Sequence, residues 1–182
     1  MTGTDLAARL AALVSQAAVP DATVSTAYGV VTADVPRAGW VQAVTAVRDG
    51  LGATYLDLLT AVDQAPGGFD VVVRLWSVAG CEGVHLRTTC PRADPSVASL
   101  TQVFAGAGWH EREIAEMYGL SFPGHPGLLP LLLPAGGVTH PLRKEHLLAA
   151  RDVPWPGAVD PADSGQGGRP SRRRLQPPGA GS

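Results

Sequence analysis

Proton transfer and metal binding both need carboxylates and imidazoles held close together, and one stretch of this chain gathers them. Residues 108–127, GWHEREIAEMYGLSFPGHPG, carry His110, Glu111, Arg112, Glu113, Glu116 and His125 on one short helix and the turn after it. A general base would be Glu113 or Glu116 beside His110 or His125. A metal centre would combine His110, Glu113, His125 and His140, the set a small metal-dependent hydrolase would need. The spacing is not the His-Glu-x-x-His zinc pattern, however. The chain also has no Ser or Cys nucleophile motif and no phosphate-cradling glycine loop. The residues alone therefore favour a helix whose charges make structural and interface pairs.

Helical phase sorts these groups. At about 100° per residue, Trp109, Ile114, Met117 and Tyr118 span an arc of roughly 180°, the expected buried face. Glu111, Arg112 and Glu116 fall mostly outside that arc. His110 and Glu113 point into it and stand at i,i+3, where side chains can meet. A buried carboxylate is costly unless paired, so Glu113 is expected to meet a cation from elsewhere in the chain or from a neighbour. Arg112 is poorly aimed for that task. Gly119 can take the left-handed conformation that ends a helix.

Two His-Pro pairs follow, His125-Pro126 and His140-Pro141. Proline keeps the preceding residue out of the α region, so both histidines should anchor turns by donating to backbone carbonyls. Arg143 and Lys144 are expected to pair with Glu113 or Glu116, or to face an acidic neighbour.

The elements that must position these groups read as α+β. Residues 4–18 form an amphipathic helix with Thr4 as its N-cap. Residues 22–35 alternate as one strand, and Pro36 introduces a second helix with Trp40, Val41, Val44 and Val47 on one face. Runs at 53–64, 69–78 and 84–91 suggest a meander. Residues 94–108 read as a short helix and a glycine-rich turn. An antiparallel or mixed sheet of about four strands, with helices on one face, is the expected fold of residues 1–150. From residue 151 to 182 the chain turns rich in Pro, Gly and Arg without apolar periodicity, which reads as an extended tail.

Composition agrees with this division. Apolar residues make up 45% of 182 and charged residues 16%, enough for a core, and the formal charge of −2 gives no pull toward nucleic acid. Two cysteines make no disulfide framework and hold no iron–sulfur cluster alone, so a reducing compartment is the default. The N-terminus lacks signal-peptide features, and no apolar run is long enough to span a bilayer.

Three segments carry a resemblance: TAVDQ, then LRTTCPRADPSVASLTQVFAGAGWHEREIAEMYGLSFPGHPG, then HPLRKEHLL. Together they resemble the 30 kDa subunit family of respiratory complex I, the C subunit of bacterial NADH:quinone oxidoreductase. The likeness runs from about residue 53 to 148. It implies a subunit without catalytic residues, redox centre or cofactor. Such a subunit packs against a D-like large subunit near B- and I-like subunits, peripheral on the cytoplasmic face of the membrane, with its C-terminal segment laid over a partner. The implied interface and folding motif is Glu111, Arg112, Glu113, His125, Pro126, His140, Pro141, Arg143 and Lys144. Equivalent scaffolds serve related membrane-bound hydrogenases and formate-oxidising complexes. Two departures stand out: Ala115 and Glu116 replace an aromatic and an Asp, and GLLPLLL replaces an acid followed by paired arginines.

Overall fold

A computed structural model describes residues 3–134 and 140–146, all within one compact unit, Met1–His146. Helix α1 (Gly3–Gln16) leads into strands β1 (Thr23–Ala27) and β2 (Val30–Asp34). A 3-10 turn at Arg37–Gly39 opens α2 (Trp40–Gly50). Strands β3 (Tyr55–Asp63), β4 (Gly68–Ser77) and β5 (Glu82–Pro91) follow, and α3 (Ala107–Tyr118) comes last. The sheet order is β1-β2-β5-β4-β3. The β2–β5 pair is parallel and the other pairs are antiparallel.

The α+β class and the mixed sheet match the expectation, but the sheet has five strands. The extra strand arises at Tyr28-Gly29, where both residues take positive φ, 52° and 78°. Two consecutive left-handed residues make the tight turn that suits strand twist, so the run 22–35 folds back on itself and Ala27 pairs with Val30. Tyr28 sits fully exposed on that turn instead of within a strand.

Residues 94–106 form turns, not the expected helix. Their amides bond sideways: Val97 N–H to Ser121 O at 3.0 Å and Ser99 N–H to Pro123 O at 2.9 Å. A backbone engaged with a distant segment cannot make the i to i−4 ladder. At the other end, α1 already includes Thr4, so this residue is not its cap. Helix α1 stops where Ala18 turns left-handed at φ 51°.

Strand alternation fixes one packed face. Phe69, Val71, Val73 and Leu75 of β4 are all fully buried, with Val84, Leu86 and Cys90 of β5 beside them. The helices cover this face: α1 lies against β1 and β2, and α3 against β3. Each such side chain contributes about 1.5–3 kcal/mol by burial, and the whole set forms one core. The opposite face shows Val72, Arg74, Trp76, His85 and Arg87, all half-buried. The tail expected over 151–182 lies outside the described residues.

Candidate functional site

Helix α3 positions the charged cluster. Gly119 closes it in the left-handed conformation, φ 73°, with its N–H on Ala115 O at 2.9 Å. The buried residues are Ala107, Glu111 and Ile114, and Tyr118 meets the Phe69 ring edge-on at 6.2 Å. The inner face is therefore rotated by roughly 80° from the expected arc, at 100° per residue. Glu111 is inside and Glu113 is exposed, the reverse of the expectation. The cause is Trp109. Its bulk suggests core, but it stands 63% exposed with the Arg112 guanidinium 5.3 Å from the ring centre.

Glu111 is fully buried, with two neutral hydrogen-bond donors and no ion pair among the described residues. Its Oε1 accepts the Leu100 N–H at 2.6 Å, and its Oε2 meets the Ser99 hydroxyl at 2.7 Å. Burial pushes its pKa above the ordinary value, and the Ser99 and Leu100 bonds and the charge of His125 only partly oppose this. Ser99 in turn touches the Thr101 hydroxyl at 2.8 Å. The carboxylate thus pins the loop before α3 onto the helix.

Arg112 and Glu116, one turn apart, hold a different segment. Arg112 donates to Leu129 O at 2.8 Å and Pro130 O at 2.7 Å. Glu116 accepts from the N–H groups of Leu131, Leu132 and Leu133 at 3.2, 2.7 and 2.9 Å. Burial alone would raise the Glu116 pKa. The three N–H donors and the charge of Arg112 outweigh it and hold the carboxyl below its ordinary value. Glu113 has no partner among the described residues, so neither Arg143 nor Lys144 meets it.

The two His-Pro turns close back onto α3. The Gly127 N–H donates to His125 Nδ1 at 2.9 Å, so Nε2 carries the proton and donates to Gly108 O at 3.1 Å. Nδ1 of His140 lies 3.1 Å from Glu116 O, and a carbonyl can only accept, so Nδ1 is the donor. His140 itself takes a left-handed φ of 55°. Arg143 donates to Tyr118 O at 2.6 Å. The Lys144 contact is made by its backbone N–H, on Asp63 Oδ2 at 2.9 Å, while its side chain is exposed. Pro126 is exposed and Pro141 half-buried, each following its anchored histidine.

Asp63, Arg92 and Phe69 complete the site, and the sequence reading does not single them out. Asp63 is 4% exposed; it pairs with Arg92 and also accepts the Ala65 N–H at 2.9 Å. Burial works to raise its pKa, but the Lys144 N–H, the Arg92 charge and the Ala65 N–H hold it below the ordinary value. Arg92 and Arg143 both lie on the Phe69 ring, at 4.7 and 5.5 Å. A signal exists: Asp63 continues the inward parity of Leu59 and Ala61 on β3, so an acid there needs a cation.

Chemically, the arrangement joins segments. A cleft of about 460 Å³ lies beside Trp109, Thr101, Gln102 and His125, but both nitrogens of His125 are already bonded. His110, Glu113, His125 and His140 do not converge, and no metal-holding cluster of three ligands occurs among the described residues.

The fold and the joined segments define a small α+β domain in which most of the signature's charged and imidazole groups bond within the chain. Residues 33–152 match the family model described as "Respiratory-chain NADH dehydrogenase, 30 Kd subunit". An NADH-quinone oxidoreductase C subunit from Herpetosiphon aurantiacus is 37% identical over 64% of this chain and 67% of that protein. A counterpart from Citrifermentans bemidjiense is 35% identical over 72% and 83%. A fused C/D subunit from Methylococcus capsulatus is 33% identical over 71% of this chain, which spans 24% of that longer protein. Among solved structures, a fragment of Nqo5 shares the fold at TM-score 0.56 and 22% identity, covering 65% of this chain and 98% of the fragment. A chain of an archaeal membrane-bound sulfane sulfur reductase does so at 0.63 and 19%, covering 76% and 84%. The chain belongs to the 30 kDa subunit family of respiratory-chain NADH dehydrogenase.

Proposed function

We propose that the chain is a non-catalytic structural subunit of a proton-translocating NADH:quinone oxidoreductase. In this reading it sits in the hydrophilic arm, on the cytoplasmic face, and clamps the subunits that carry the electron path and quinone site. The observation that carries the proposal is the use made of the signature. Glu111, Arg112, His125, His140 and Arg143 all bond to groups of the chain itself, which is what a scaffold requires and a general base does not. No helix of the described residues is long and apolar enough to cross a membrane, so membrane contact would come through neighbours. A D-like large subunit is the first partner to expect, since one relative is named as a C/D fusion. B- and I-like subunits and a tail laid over a partner complete the proposed setting.

The test is purification from the source cells through a tag on this chain, with metal and flavin analysis of the chain alone. Co-purification of a D-like subunit supports the reading. Stoichiometric metal on the isolated chain, or no such partner, overturns it.

A further inference from the structure

The run Leu128–Leu133 is held in an unusual way. Five hydrogen bonds from two side chains of α3 engage its backbone: two carbonyls on Arg112 and three N–H groups on Glu116. With its polar backbone turned onto the helix, the run shows solvent its side chains. Leu129 is 69% exposed, Leu132 57% and Leu128 38%, and Trp109 on the same outer face of α3 is 63% exposed. Pairing these two carbonyls and three N–H groups on the helix leaves fewer donors and acceptors to strand when the apolar ridge is covered. Exposed apolar residues grouped in this way mark interaction sites.

Charge narrows the occupant. Arg112 and Glu116 carry opposite charges and both bond to the run, so the ridge itself presents no net charge. Glu113, beside Trp109 on the outer face, is exposed and has no partner among the described residues. The complementary surface is an uncharged apolar strip with one basic side chain opposite Glu113. An anionic lipid surface fits poorly, because it needs basic residues around the apolar ones and the free charge here is acidic.

We infer that the leucine ridge and Trp109 form a docking surface for an apolar strip of the D-like subunit, bordered by a basic residue that meets Glu113. This deepens the proposed function and rests on it. The signature charges would then shape the surface, and the residues they display would make the contact.

The test co-expresses the full chain with a D-like subunit from the same cells and measures affinity by titration. Wild type is compared with the pair Leu129→Asp and Leu132→Asp, with Glu113→Lys, and with Val62→Asp on the open sheet face as a control. All four positions are exposed, and unchanged melting confirms that each variant folds. The ridge pair should lose at least about tenfold in affinity and Glu113→Lys a smaller factor, since a charge forced into a dry contact is costly, while Val62→Asp stays near wild type. Wild-type binding with an unaffected ridge pair overturns the docking surface and leaves the proposed function standing. Absence of wild-type binding overturns the proposed function, and the docking surface with it.

Discussion

Glu111 offers the sharpest test of how α3 packs. Truncation to Ala removes both hydrogen bonds and leaves the buried Leu100 N–H without an acceptor, about 1–3 kcal/mol for that group. The cavity left by the deleted side chain adds to this, so Glu111→Ala should lose about 3–5 kcal/mol, near the top of the range for single substitutions. Glu111→Gln keeps the shape, an oxygen for Leu100 and an NH₂ that donates to Ser99, so at neutral pH it should cost little or even stabilise. The pH dependence follows from the direction of the shift. The folded carboxyl titrates above its ordinary value of 4.5, so between the two values the native state binds more protons than the unfolded one. Stability then falls with rising pH across that window and levels off above the folded pKa. Urea melts of wild type, Glu111→Gln and Glu111→Ala at several pH values between about 5 and 8 measure this directly. Wild type should lose ground to Glu111→Gln as pH rises. If it gains instead, and Gln costs as much as Ala, the carboxylate is held ionised by a cation, which refutes a joint whose carboxyl is governed by burial.

Two further substitutions probe the closure onto α3. Asp63→Ala removes acceptors for the Lys144 and Ala65 N–H groups and the partner of Arg92. It should cost about 2–4 kcal/mol by chemical denaturation. With the folded pKa below the ordinary 3.8, that contribution is present above this value and is lost as pH falls through the folded one. Gly119→Ala places a Cβ 2.5 Å from Arg143 Nη2 and 2.6 Å from His140 Nε2, on a left-handed backbone of φ 73°. It should cost about 1–3 kcal/mol and raise hydrogen exchange at the Leu142 and Lys144 amides.

The meander is legible in the sequence because its three strands are long, apolar and separated by turn residues. The β1–β2 hairpin is not, since Tyr28 gives no sign from its type that it will take a positive φ. The phase of α3 escapes for a related reason. Side-chain size favours Trp109 for the interior over Glu111, and the fold reverses that order. What decides the phase is tertiary: the loop at 99–101 arrives with a free N–H and a hydroxyl, and these make a carboxylate acceptable inside. Local pattern cannot report a donor that comes from another segment. The histidines are readable because proline restricts them locally. Asp63 shows the intermediate case, visible by strand parity once Arg92 is recognised as its partner.

Glu111 and Glu116 are the same residue type on one helix, yet their pKa values move in opposite directions. Glu111 meets two neutral donors in a dry interior, so its neutral form is favoured. Glu116 meets three aligned N–H groups and the charge of Arg112, so its anion is favoured. Acidification therefore acts in opposite senses on the two faces of α3. Protonating Glu111 relieves a buried charge and firms the contact with the 99–101 loop. Protonating Glu116 removes the acceptor that holds the backbone of the leucine run and loosens the outer ridge. Because Glu116 titrates below its ordinary value of 4.5, the ridge keeps its shape through the neutral range and gives way only in acid, where the inner joint is firmest. If the ridge is the docking surface, acid dissociation from the partner precedes loss of the joint that Glu111 makes.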